Sequence, residues 1–289
     1  MPPVAATTQI GTTYLDVNGL AYPLMACVLP DISWDVIPLP AQDGGRRLGQ
    51  VRFGQLTVRF TPPSMAPLAG WLEGLTSGRG DPVDLGVLHT DGNGKVRHHL
   101  VLKGCILTEL RLPECSAAGK EIYAIEAVFE PERVEAGPLG GAVKSAAPGR
   151  AKKWLASNFV VTVPGLPSGR ISRIGAVTLS RSLVQEDDRF GGRLLVGALG
   201  FSPLALTVTG QDCAQWRDAV LKLTASGAHG DPVAIGVELR DTTLKTVLAN
   251  LSFQTIGLSG FSFDPSGGSS GAVTAIARFE LETLKFQVN

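Results

Sequence analysis

Cysteine, aromatic side chains and charge are all scarce in this chain, and each shortage removes a class of function. Four cysteines stand among 289 residues: Cys27, Cys105, Cys115 and Cys213. No CxxC spacing joins them, and the histidines, His89, His98, His99 and His229, add no metal-ligand pattern. That excludes a recognisable zinc site and a disulfide framework, and it leaves buried free thiols in a reducing compartment as the expectation. Aromatics make up 6% of the chain, which weighs against a typical sugar-binding surface. Charged residues are 18% with a formal net charge of zero, so nothing general draws the chain to nucleic acid or membrane. No apolar run approaches the roughly 20 residues that cross a bilayer. Met1-Pro2-Pro3-Val4 lacks the basic region of a signal peptide. The expectation is a protein made in the cytoplasm, with no export signal of its own and no membrane anchor. Catalytic patterns are missing too: no HExxH, nucleophile elbow or triad spacing occurs. His98 and His99, adjacent on an expected strand, point to opposite faces. No enzyme, no metal and no cofactor are expected.

What the chain does contain is a near repetition of itself. Leu56-Thr57-Val58 returns as Leu206-Thr207-Val208, Gly80-Asp81-Pro82-Val83 as Gly230-Asp231-Pro232-Val233, and Phe129-Glu130 as Phe279-Glu280, each 150 positions later. A long fixed period across strands and turns reads as two copies of one domain. The boundaries expected are a first domain at 1–135, a Gly/Pro/Ala-rich linker at 136–153 and a second domain at 154–289. Trp154 and Leu155 are placed to anchor the end of the linker. Residues 1–149 hold 12 Lys+Arg against 15 Asp+Glu and residues 150–289 hold 14 against 11, a split of −3 and +3. Such opposite halves favour alternation if they pack side by side, although drift of surface charge after duplication accounts for them equally well.

Each copy reads in the same order. Two opening strands come first, Tyr14–Val17 with Ile32–Ile37 and Phe159–Val163 with Ile171–Leu179. A long Gly/Arg/Asp loop follows at Pro38–Gln50 and Gln185–Gly192, and then a β-branched strand near Gly54–Phe60 and Leu204–Thr209. One helix follows in each copy. Leu68, Trp71, Leu72 and Leu75 make an i, i+3, i+4, i+7 stripe, and Trp216, Ala219, Val220 and Leu223 repeat it. Ser77-Gly78 and Ser226-Gly227 suit a left-handed C-cap, and Asp212 suits an N-cap. After the helix, Gly-Asp-Pro starts an extended run because a residue before proline avoids helical geometry. Val83/Leu85/Val87 and Val233/Ile235/Val237 then alternate along one face. Asp91-Gly-Asn-Gly94 and Asp241-Thr-Thr turn the chain back. Closing strands follow at Val96–Leu102, Cys105–Leu112, Tyr123–Phe129, Leu251–Leu258 and Val273–Leu281. The fold expected is mainly β: two tandem β-barrels, each with one flanking α-helix, because closure removes sheet edges.

The candidate working residues are charged and lie at the two long loops. Asp43, Arg46 and Arg47 sit in the first, and Glu186, Asp187, Asp188, Arg189 and Arg193 in or beside the second. Clustered carboxylates are compatible with acid/base or cation chemistry, but the interleaved arginines fit a docking surface better. Gly44-Gly45 and Gly191-Gly192 do not stand between a strand and a helix N-terminus, so a phosphate cradle is set aside.

At Phe159-Val-Val-Thr-Val-Pro-Gly165 and Gly169-Arg-Ile-Ser-Arg-Ile-Gly-Ala-Val-Thr-Leu179 the second copy resembles the tail-tube proteins of contractile phages and phage-like injection systems. The likeness continues through the charged loop, the Trp216 helix, Val237-Glu-Leu-Arg-Asp241 and Phe279-Glu-Leu-Glu282. The first copy fits more loosely, through Tyr14-Leu-Asp-Val-Asn-Gly19 and Ile32-Ser-Trp-Asp-Val36. The resemblance implies small barrels that assemble edge to edge into six-domain rings, stacked as a hollow tube in a bacterial phage tail or injection particle. It implies sheath and baseplate proteins as partners, and DNA or protein cargo in the lumen without sequence-specific binding. A duplicated chain departs from the single-domain pattern: three chains are expected to make a pseudo-sixfold ring, either as the tube subunit or as a baseplate hub or tube initiator. Strand pairing between neighbours would continue the sheet round the ring, and the loop arginines would meet carboxylates of the next ring. The competing readings are a monomeric adaptor that uses the barrel mouths for a ligand, and an enzyme acting through Asp187, Asp188 or the histidines.

Overall fold

Runs of Val, Leu, Ile and Phe at alternate positions make most of this chain strand, and the computed structural model is mainly β with one α-helix in each half. It describes residues 11–39, 45–78, 81–146, 154–185, 194–226, 232–264 and 273–289. In the first half the strands are β1 (Thr13–Val17), β2 (Leu20–Pro23), β3 (Ala26–Val28), β4 (Ile32–Pro38), β5 (Arg46–Phe53) and β6 (Leu56–Phe60). Helix α1 (Leu68–Thr76) follows, then β7 (Val83–Thr90), β8 (Val96–Leu112), β9 (Cys115–Ser116), β10 (Ile125–Glu130) and β11 (Arg133–Ala136). The second half contains β12 (Phe159–Thr162), β13 (Ile171–Ile174), β14 (Val177–Gln185), β15 (Leu194–Phe201) and β16 (Leu204–Thr209). It continues with α2 (Asp212–Ser226), β17 (Ala234–Arg240), β18 (Val247–Asp264) and β19 (Thr274–Val288).

The first large sheet follows the path β2-β1-β7-β8-β10-β6-β3, and the second follows β12-β17-β18-β19-β16-β13-β9. Six consecutive strands therefore occur in one order in both: β1-β7-β8-β10-β6-β3 and β12-β17-β18-β19-β16-β13. Registers agree as well as order. Leu107 and Leu56 flank Phe129, as Leu258 and Leu204 flank Phe279. This places Leu204, not Leu206, where Leu56 stands, so the Leu-Thr-Val blocks lie two residues out of step. A two-residue slip keeps every side chain on its face, which is how the blocks look alike and pack alike.

Both halves also depart from the expected elements. Val96–Leu102 and Cys105–Leu112 are one strand, β8, bent at Gly104, whose φ of +61 a side-chain-bearing residue rarely adopts. The stretch read as a loop at Pro38–Gln50 contains the first part of β5, and β14 and β15 likewise form a hairpin. Alternation is weak in Arg46-Arg-Leu-Gly-Gln-Val-Arg-Phe53, so periodicity missed this strand. The Gly/Pro-rich stretch after β11 runs along the first half: Gly137 N–H donates to His99 O and Ala146 N–H to Ala21 O. Trp154 is 4% exposed, beside Tyr123, and its carbonyl accepts from Tyr123 N–H. Ser77 and Gly78 end α1, with Gly78 left-handed as expected; Gly227 lies outside the described residues.

One apolar core runs through both halves, from Leu15 to Leu284. Trp71 meets Phe129 edge to face at 5.1 Å, and Trp216 meets Phe279 in the same manner at 6.3 Å. The indole N–H of Trp216 donates to Pro167 O at 2.8 Å, satisfying the polar atom that burial would otherwise strand.

Candidate assembly interface

Of the eight charged residues singled out by sequence, Arg46 and Arg47 are described; both are exposed, at the start of β5 opposite Pro38 and Ile37. Asp43, Glu186, Asp187, Asp188, Arg189 and Arg193 lie outside the described residues. What the fold does bring together is the pair of hairpins that carry those loops. In β4–β5, Ile32, Trp34 and Val36 face Phe53, Val51 and Leu48. In β14–β15, Leu179, Arg181 and Leu183 face Phe201, Leu199 and Val196. A bulge falls at the same step in both, after Trp34 and after Arg181. Trp34 is thus the register counterpart of Arg181.

Their surroundings differ. The hairpin of the second half adds to a strand of the first: Val177, Thr178, Leu179 and Ser180 pair with Leu112, Arg111, Leu110 and Glu109 of β8. On the inner side of this joint Leu179 and Leu110 are both 0% exposed. On the outer side Arg111 is bonded to Glu109 and Glu126, and these carboxylates raise its pKa above the usual guanidinium value. A second link lies close by, where β13 pairs with β9 and Arg173 bonds Glu114. Past the bulge-side end of the joint, Arg181 reaches the last turn of α1 and donates to Gly74 O at 3.1 Å and Leu75 O at 2.7 Å. Helix-end carbonyls carry the negative pole of the helix and welcome a cation. Arg181 is only 6% exposed, and burial lowers its pKa from the ordinary arginine value.

Arg181 is seated in a groove beside α1 whose strand wall includes Val83, Leu107 and Phe129. Val233, Leu258 and Phe279 make the matching wall beside α2. Val17 and Leu20 rim the first groove, as Val163 and Leu166 rim the second. The α2 groove encloses about 480 Å³, and Trp216, Val220 and Leu223 line its helix side.

The hairpin β4–β5 pairs with no further strand among the described residues. Its apolar side chains face solvent: Ile32 is 49%, Trp34 53% and Leu48 68% exposed. Val28 and Leu29 continue that surface at 63% and 48%. Exposed apolar area of this extent on a sheet edge marks an interaction surface.

Of the four histidines, His229 lies outside the described residues. His89 and His98 stand opposite each other on β7 and β8, while His99 bonds Pro138 O at 3.1 Å on the other face. Among the described residues no group of three His, Cys, Asp or Glu side chains is placed to hold a metal. All four cysteines are free; burial pushes the thiols of Cys105 and Cys115 up to about 12 and that of Cys27 to about 11. Such thiols are poor nucleophiles. Among the described residues no helix is long and apolar enough to cross a membrane.

No protein-family model and no curated protein matches the chain. Solved structures do. The sheath/tube terminator of an extracellular contractile injection system, PVC, in its extended state is similar over 48% of this chain and 99% of its own, at 19% identity and a TM-score of 0.39. The PVC sheath-tube complex contains a chain similar over 46% of this one and 95% of its own, at 20% identity and a TM-score of 0.40. The tube-terminating cap of the anti-feeding prophage is similar over 47% and 91%, at 18% identity and a TM-score of 0.38. Each is thus a chain about half as long.

Proposed function

We propose that this protein is a ring-forming structural component of a phage-like contractile injection particle, built as a tandem duplication. The observation that carries this reading is the six-strand order common to both sheets, together with hairpins that share register and bulge. Two units in one chain supply two places in a ring, and three chains supply six. The unit-to-unit contact such a ring needs is already present once inside the chain, where β14 extends the sheet at β8. Nothing in this work requires a reactive group, in keeping with a structural role.

Of the two places open to such a ring, the end of the tube is preferred to its shaft. The halves have diverged: α1 has 9 residues and α2 has 15, and the positions of Arg181 and Trp34 differ in chemistry. A ring of unlike halves has threefold, not sixfold, symmetry, which suits a junction between a sixfold tube and a threefold spike. Arg46 and Arg47, with Asp43, Glu186, Asp187, Asp188, Arg189 and Arg193, are proposed to meet the next ring. Sheath and baseplate proteins are the proposed partners, with cargo passing through the lumen.

Negative-stain imaging with native mass on the same sample tests this. Isolated three-chain rings are expected; stacked three-chain rings would move the protein to the shaft. A uniform monomer at high concentration would defeat the ring. Unchanged ring contacts after reversing Arg46 and Arg47 to glutamate would remove those residues from the contact surface.

A further inference from the structure

Each chain carries one finished joint and the two separate sides of a second. The finished joint has a donor, hairpin β14–β15, and an acceptor, the β8 edge with the α1 groove. The unfinished one has its donor in the first half, hairpin β4–β5, exposed along its apolar side chains. Its acceptor lies in the second half, where among the described residues the stretch of β18 matching the joint pairs with β19 alone. Among the described residues these two sides do not pair with each other inside one chain, and one chain's donor can meet the next chain's acceptor.

Resting on the ring reading above, the geometry points to a head-to-tail seam in which β4 of one copy adds to β18 of the next and Trp34 seats in the α2 groove. The register follows from the joint inside the chain. Through their shared pairing with β10 and β19, Glu109, Leu110, Arg111 and Leu112 correspond to Gly260, Phe261, Ser262 and Phe263. Through the hairpins, Leu179 and Ser180 correspond to Ile32 and Ser33. Leu179 opposes Leu110 and Ser180 opposes Glu109 within the chain. Across the seam Ile32 therefore opposes Phe261, and Ser33 opposes Gly260.

Chemistry agrees with register at Ile32, at Ser33 and at Trp34. Ile32 is 49% exposed and Phe261 is half-buried, so pairing them buries on both sides the kind of surface that Leu179 and Leu110 already bury. Gly260 and Ser262 present small uncharged groups where Glu109 and Arg111 present an ion-paired cluster. Two residues past Ile32 on the same face, Trp34 takes the place of Arg181. The groove it enters is apolar, walled by Val233, Leu258, Val220 and Leu223. An aromatic ring suits that groove, as a guanidinium suits the carbonyls of α1. A contact joining unlike surfaces in this way closes into a ring or continues as a filament.

The test uses the full-length chain with Ser33→Cys and Gly260→Cys. A side chain at Gly260 would meet only Arg278, no closer than 3.8 Å, so the substitution is accommodated. Directly opposed strand residues lie within disulfide reach. On oxidation the double variant is expected to become covalent multimers that reduction returns to single chains, while either single variant does not. Trp34→Asp, at an exposed position, is expected to leave the fold unchanged and to raise the concentration for half-assembly about tenfold or more, as loss of a buried aromatic anchor does. Three-chain rings in the native chain, without cross-linking and with Trp34→Asp assembling normally, would overturn the seam and leave the ring reading standing. A native chain that stays monomeric at high concentration would overturn both.

Discussion

The hairpins β4–β5 and β14–β15 have the same register and the same bulge, yet Leu179 on one is 0% exposed and Ile32 on the other is 49% exposed. Conformation is therefore not what separates them. What differs is the neighbour: β14 lies on β8, and among the described residues β4 has only β5. Hairpin shape is set locally by backbone pairing, whereas burial of Leu179 is supplied by β8, from the other half of the chain. The residues differ accordingly: Arg181 meets helix carbonyls within the chain, and in the proposed seam Trp34 meets the apolar groove of the next copy.

The widest separation between the two hairpins is expected at that first pair of residues. Leu179→Ala removes a fully buried side chain and should cost about 2–5 kcal/mol in urea unfolding. Ile32→Ala in dilute single chains should stay within about 0.5 kcal/mol of the native protein. Equal losses at both sites would mean that β4 is covered within the chain. A smaller effect is expected one step along. Arg181→Ala deletes two hydrogen bonds to α1 and should cost about 2–3 kcal/mol. It should also speed amide exchange across Val177–Ser180, where Trp34→Ala should leave exchange unchanged. The smallest effect concerns the turns at Asp91 and Asp241. Hydrogen bonds from Thr243 and Thr246 hold the Asp241 carboxyl at about 2, and bonds led by Lys95 N–H lower that of Asp91. A depressed carboxylate pKa adds stability that is complete above the unfolded value of about 3.9 and disappears as pH falls through the folded value. Asp241→Asn should therefore lower the urea midpoint by a constant amount above about pH 4, and the difference should shrink toward pH 2. A pH-independent difference would assign the turn's stability to something other than this charge.

Much of the frame was legible in the sequence because its patterns are local. The apolar stripe of α2, the alternation in β7 and β17 and the Asp-centred turns reflect contacts made within one half, and Trp71 of α1 packs on Phe60 and Phe129 of its own half although α1 also meets β19. The arm β5 was not legible, because its side chains do not follow a one-face-in, one-face-out rule. Leu48 is exposed on a hairpin with no core of its own, so no period marks it. The joint at β14 and β8 was also hidden, since the two strands are far apart in sequence and nothing in either announces the other. Nothing in the sequence singles out Arg181, because the carbonyls of Gly74 and Leu75 that give it a role belong to the other half. The 150-residue spacing pointed to a repeat, though matching blocks two residues out of step shows that a strand's period can imitate an alignment.

The covalent tie between β8 and β14 gives the two kinds of seam different responses to dilution. Closing the seam within the chain is intramolecular and takes place at an effective concentration fixed by the tether, often millimolar. Seams between chains obey mass action. As the protein is diluted, an assembly of this chain should come apart at alternate seams only, releasing whole chains whose internal joints remain shut.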